Sequence, residues 1–92
     1  MEITLETRLT RAEGILATEL DDEVVLMSIE RGAYYGVDKT ARRIWDLLEV
    51  PQTVAELCTR LQEEFEVDDE TCRRDVLAFV GLLHAEGLVL AG

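Results

Sequence analysis

Residues 24–45, Val-Val-Leu-Met-Ser-Ile-Glu-Arg-Gly-Ala-Tyr-Tyr-Gly-Val-Asp-Lys-Thr-Ala-Arg-Arg-Ile-Trp, constrain the fold more than any other stretch. The run at 24–29 is rich in β-branched and large apolar residues and reads as a strand. Arg31-Gly32 reads as a hairpin turn, because glycine reaches positive φ without strain. Residues 33–37 return as a second strand. Asp38 then caps a helix, its carboxylate accepting from the free amides of the first turn. A strand this short, running straight into a helix, belongs at a sheet edge. An edge carries unpaired backbone donors and acceptors that another chain can use. A peptide-binding module is therefore the first expectation.

The remaining elements follow from period and capping. Residues 3–9 alternate apolar and polar, the signal of a half-buried strand or an extended arm. Gly14 interrupts, and 15–20 resumes the alternation before the polar turn Asp21-Asp22-Glu23. Ala41, Ile44, Trp45 and Leu48 share one face of the first helix, which Pro51 stops. Thr53 and Glu56 form a capping box for a second helix, with Val54, Leu57, Cys58, Leu61 and Phe65 as its core stripe. Asp68 or Asp69 caps a third helix that runs to about Ala85. Its core stripe is Cys72, Val76, Phe79, Val80 and Leu83. Gly87 stands where a glycine C-cap belongs, and 88–90 adds a short final strand. Strands segregated from helices predict an α+β fold: a three-stranded antiparallel sheet followed by three helices, in the manner of a winged helix-turn-helix.

Size and charge narrow the function. The 92 residues, 48% apolar, make one domain with a thin core. No apolar run reaches the length of a membrane span, and the N-terminus lacks a secretory pattern; the cytoplasm is the expected location. Twenty acidic against nine basic side chains leave a net charge of −11. Such a chain is repelled by phosphate backbones and anionic membranes, and it attracts basic partners. The topology alone also suits a winged-helix DNA-binding regulator. Its recognition helix, however, would carry Asp69, Glu70, Asp75 and Glu86 against Arg73 and Arg74.

Little here supports catalysis. There is one histidine, His84, no serine beyond Ser28, and no glycine-rich phosphate loop. Ser28 lies within the best strand. His84 sits near a helix end, where the dipole favours it, or contacts a partner. The acidic pairs Asp21/Asp22, Glu63/Glu64 and Asp68/Asp69 fall at turns and helix ends, where carboxylates cap and solvate. Cys58 and Cys72 lack neighbours at metal-ligand spacing. They are expected as reduced core thiols, able to form a disulfide only if the fold brings them together. We expect no enzyme, no cofactor and no metal.

Two features are suited to binding. Tyr34 and Tyr35, adjacent on a strand, point to opposite faces. Tyr35 goes inward with Ala33 and Val37, and Tyr34 goes outward. They are either a core and a boundary residue, or the lining of a binding edge. On the third helix Leu77, Gly81 and His84 form a second face, preceded by Arg73 and Arg74. That face is either a shallow apolar strip for a peptide or packs against the strands. The two arginines equally suit i,i+4 pairs with Asp69 and Glu70.

The ordered set Arg-Gly-x-Tyr-Tyr-Gly, x-x-Thr-Ala-x-x-Ile-Trp, Thr-Val-x-Glu-Leu and Leu-Leu-His-Ala-Glu-Gly-Leu-Val resembles the PqqD-like family over about residues 14–90. The likeness is strongest to the stand-alone members of lasso-peptide clusters. It implies a RiPP precursor peptide recognition element, non-catalytic, that binds a leader segment and presents it to maturation enzymes. The leader would add as a strand along 33–37, beside the helix surface at 73–84. The contact residues implied are Ala33, Tyr34, Tyr35, Gly36, Val37, Arg73, Arg74, Leu77, Val80, Gly81 and His84. Lasso leaders offer a spaced tyrosine, proline and leucine. The implied partners are a transglutaminase-like cysteine leader peptidase and an ATP-dependent macrolactam synthetase. A PqqD-like adaptor for another RiPP enzyme is the further alternative. Residues 1–13 lie outside the resemblance and are expected as an added strand or docking arm, with the binding domain at 14–92. A proline at Tyr35 is expected to delete an edge amide and abolish binding.

Overall fold

A computed structural model describes residues 2–21 and 23–92. The turn carboxylate expected at Asp22 lies outside the described residues. The elements, in chain order, are β1 (Arg8–Arg11), β2 (Ile15–Leu20), β3 (Glu23–Ser28), β4 (Ala33–Val37), α1 (Lys39–Leu47), β5 (Gln52–Thr53), α2 (Val54–Glu64), α3 (Asp69–Ala85) and β6 (Val89–Ala91). The antiparallel meander β2-β3-β4 and the three helices are as expected. A second small sheet, β5-β1-β6, joins the two ends of the chain. Its last strand, Val89–Ala91, is the short final strand expected at 88–90, whereas the two-residue β5 is too short for period or propensity to announce.

The N-terminal strand is displaced from its expected place. Residues 3–7 do not extend. The Thr4 amide donates to Thr7 Oγ1 at 2.9 Å and the Thr7 amide to the Thr4 carbonyl at 3.1 Å. Threonine side chains compete here with the ladder for backbone groups. The strand forms at Arg8–Arg11 instead, where Leu9 is fully buried between Gln52 and Ala91. The turn has its own use. The carbonyls of Leu5 and Thr7 accept the Ala55 and Val54 amides, at 2.9 and 3.2 Å, satisfying free donors at the start of α2.

The helices begin where their caps predict. Asp38 Oδ1 accepts the Ala41 amide at 2.8 Å, Thr53 and Glu56 close a capping box, and Asp68 accepts from Thr71 at 3.0 Å. Gly87 ends α3 at φ +75°. Ala41, Ile44, Trp45 and Leu48 are all buried. Arg11 reaches over from β1 to stack 4.7 Å from the Trp45 ring and donate to the Trp45 carbonyl at 3.0 Å. Two stripe residues depart from expectation. Phe65 is 42% exposed, because the chain has already left the helix there at φ −128°, ψ 146°. Phe79 is half-buried at the edge of the core. Strand β3 ends at Ser28, leaving Ile29 exposed in the turn.

Cys58 and Cys72 are buried and unbridged, with Cys72 Sγ 3.8 Å from the Cys58 carbonyl. Burial, reinforced by the neighbouring Cys72, pushes the Cys58 thiol up to about 12. No helix among the described residues is long and apolar enough to cross a membrane.

Candidate peptide-binding edge

Among the described residues strand β4 pairs with β3 alone, so its other edge is open. The register says which backbone groups face outward. Leu20 stands opposite Glu23, Thr18 opposite Val25 and Leu16 opposite Met27. In an antiparallel ladder, pairs that exchange both hydrogen bonds alternate with pairs that exchange none, and the Ile29–Gly14 bond sets the phase. Glu23, Val25 and Met27 therefore direct their amides and carbonyls to β2. The Ile29 amide continues the series by donating to the Gly14 carbonyl at 3.0 Å. Val24, Leu26 and Ser28 must then bond to β4, where they face Val37, Tyr35 and Ala33. Tyr34 and Gly36 are left with their amides and carbonyls pointing away from the sheet.

A cleft of about 440 Å³ adjoins this edge. Gly36, Val37 and Asp38 form one wall, and Asp75, Val76 and Phe79 of α3 form the other. Ala41 and Ile44 of α1 line it as well. Farther along, Tyr35 donates to Glu86 Oε2 at 3.1 Å, tying β4 to the C-terminal end of α3. The cleft lining is apolar apart from Thr40 and the carboxylates of Asp38 and Asp75, and no basic residue is among it. Asp75 meets Arg74 at 3.5 Å, with both side chains well exposed, so solvent screens that pair.

The residues expected from the sequence fall into three groups. Ala33, Tyr35 and Val37 are half-buried, while Tyr34 and Gly36 are exposed; Tyr34 is 70% accessible. Val80 is fully buried at 0%, which removes it from any surface in this structure. Arg73, Leu77, Gly81 and His84 lie on the flank of α3 turned away from this cleft. At about 100° per residue, they stand on one side of the stripe Cys72, Val76, Val80 and Leu83. Asp75, Phe79, Leu82 and Glu86 stand on the other, and that side meets β4. Arg73 pairs with Asp69 at 3.0 Å as an i,i+4 neighbour, whereas Arg74 turns to Asp75 rather than Glu70. Leu77 packs against the core, and a Cβ at Gly81 would meet nothing within 4 Å.

Asp75 and Phe79, which line the cleft, carried no binding expectation from the sequence. Phe79 fitted the core stripe, and an aspartate on an acidic helix carries no signal of its own. Both stand on the Glu86 side of the stripe, but only the tertiary placement of β4 singles that side out. Among the described residues no group of three or more His, Cys, Asp or Glu side chains is arranged to hold a metal ion.

Comparison with curated proteins gave no significant match. Two solved structures are similar over nearly the whole chain. One is TbiB1 in complex with the TbiA(beta) leader peptide, at 32% identity and a TM-score of 0.77, covering 87% of this chain and 93% of that one. The other is a lasso peptide synthetase B1 complexed with the leader peptide, at 27% identity and a TM-score of 0.76, covering 89% of this chain and 96% of that one. The family model of the coenzyme PQQ synthesis protein D matches residues 23–89, from the central strand of the meander to the last strand. With most of its length under that model, the chain belongs to the PqqD family.

Proposed function

We propose that this chain is a non-catalytic adaptor that binds the leader segment of a ribosomally made precursor peptide. The leader adds as a strand to β4 and is presented to the leader peptidase and macrolactam synthetase of a lasso-peptide pathway in the cytoplasm. One observation carries the reading: the outward amides of Tyr34 and Gly36 stand beside an apolar cleft walled by Val37 and Phe79. Backbone pairing along such an edge supplies affinity with little sequence demand, and the cleft selects side chains. The leader-bound state of both similar structures supports this use of the shared fold. We assign the contacts to Tyr34, Gly36, Val37, Asp75 and Phe79, with Ala33 and Tyr35 holding the strand.

A labelled leader peptide titrated with the protein in fluorescence polarisation tests the proposal. Gly36→Pro deletes an outward amide while leaving the β3–β4 ladder intact. It should weaken binding by roughly tenfold or more, about 1.4 kcal/mol. Tyr35→Pro is the wrong probe, because that amide faces β3 and its loss would damage the sheet. A Gly36→Pro variant that folds and binds normally would rule out strand addition at β4. Random duplex DNA should give no salt-dependent complex.

A further inference from the structure

We propose that Asp75 is a specificity residue that pairs with a basic side chain of the leader. The peptides this chain takes would then carry an apolar residue and, two positions on, a lysine or arginine. The inference deepens the adaptor reading above and rests on it. Its basis is where charge stands in the cleft. Val37, Ala41, Ile44, Val76 and Phe79 make the surface apolar, while Asp38 and Asp75 put a carboxylate on each wall. A second hollow, of about 200 Å³, lies beyond. Leu61, Phe65, Val67 and Cys72 line it, and Thr40, Asp75 and Val76 line both cavities. Asp75 therefore stands between two apolar cavities rather than at the margin of one.

Little within the chain neutralises these carboxylates. Asp38 Oδ1 accepts the Ala41 amide at 2.8 Å as the cap of α1. Asp75 meets its sequence neighbour Arg74 at 3.5 Å, in a contact that water screens and a guest can displace. Arg42, Arg43 and Arg73 are held by other carboxylates. A guest that brings its own cation completes the cleft. The pleat says where that cation stands. Side chains of a strand added to β4 alternate across the sheet. The residue opposite Val37 points inward, as Val37 does, to the apolar wall at Val76 and Phe79. The residue two farther on points the same way, but β4 has ended, and the groups beyond Val37 are Asp38, Thr40 and Asp75. A lysine or arginine suits that place twice over. Its methylene stem covers apolar surface between Val76 and Phe65, and its head meets the carboxylates. An acidic side chain would face two like charges, and the net charge of −11 steers a basic peptide to this edge.

The test titrates a labelled synthetic leader of the pathway's own precursor with the full chain in fluorescence polarisation. It is repeated with each lysine and arginine of the peptide replaced singly by glutamine. Asp75→Asn keeps the shape and removes the charge. Glu70→Gln removes an exposed charge of α3 outside the cleft and serves as the control. Asp75→Asn should weaken binding about three- to tenfold. One basic replacement in the peptide should weaken it equally, and the two changes together should weaken it no further. Asp75→Lys with glutamate at that peptide position should bind better than either change alone. Glu70→Gln should bind as the wild type does. An Asp75→Asn variant with full affinity would overturn the proposal, as would undiminished binding of a leader stripped of every basic residue. So would losses that simply add, or an equal loss in Glu70→Gln, since charge would then act at a distance. In all of these cases Gly36→Pro would still weaken binding if the adaptor reading holds. A wild-type chain that binds no leader would end both readings.

Discussion

Cys58 is the residue whose chemistry burial alters most. Its thiol, held near 12 by burial and then by Cys72, stays protonated at neutral pH. Only the thiolate attacks, so neither alkylating agents nor aromatic disulfides should modify it until the chain unfolds. Thiol counting with and without urea checks this. The linkage has a definite sign. A raised folded-state value means that the native state holds its proton where the unfolded state has lost it. Stability is therefore whole below the ordinary thiol value of 9.0 and declines as pH climbs from there toward about 12. Cys58→Ala should flatten that alkaline decline in urea titrations. Gly87 is a second single-residue constraint. At φ +75° any other side chain is strained, and Gly87→Ala should cost about 1–2 kcal/mol in denaturant unfolding. The cysteines were legible as core residues from their helical spacing. Their mutual approach was not, since it depends on how α2 crosses α3.

Among the elements, the helices are the most local. Asp38, Thr53 with Glu56, and Asp68 each satisfy an amide three residues away, so the helix starts could be read directly from sequence. Two of these carboxyls are held below their ordinary range. The Thr53 backbone amide, then its hydroxyl, lowers Glu56, and the Thr71 amide lowers Asp68. Depressed values carry stability that is complete above about pH 4.5, the ordinary glutamate value, and is lost as pH falls through the folded-state values. Asp68→Ala should lower the thermal midpoint at pH 7, and the gap from wild type should narrow below pH 3.8, the ordinary aspartate value. Scanning calorimetry across that window would show it. Helix ends that depend on distant contacts were harder. Phe65 kept the helical spacing, but the chain turns out of α2 one residue too early for it to join the stripe. Strand β4 was legible as a short strand running into a helix. Which of its amides are free was not, because that follows from its register with β3 and from the pairing of β3 with β2.

At the scale of the molecule, the two chain ends meet in one small sheet. Leu9 is fully buried there, beside Val89 and Leu88 in the same core cluster. Leu9→Ala should cost about 2–5 kcal/mol, a large share of the stability of a domain this small. Equilibrium urea unfolding would measure it. The same strand carries Arg11 to Trp45, so a cut after residue 11 should release α1 from β1, and a chain lacking residues 1–11 should melt well below the full chain. The sequence alone determined the meander followed by three helices, the helix caps, the inward and outward tyrosines and an acidity that opposes nucleic acid. Each of these rests on neighbours within a few residues or on summed charge. Tertiary structure decided which flank of α3 faces β4, that Val80 is hidden while Phe79 lines the cleft, and that β1 closes a second sheet. Those outcomes depend on how elements far apart in the chain pack, and a helix carrying apolar residues on both flanks does not announce which flank will meet the strand.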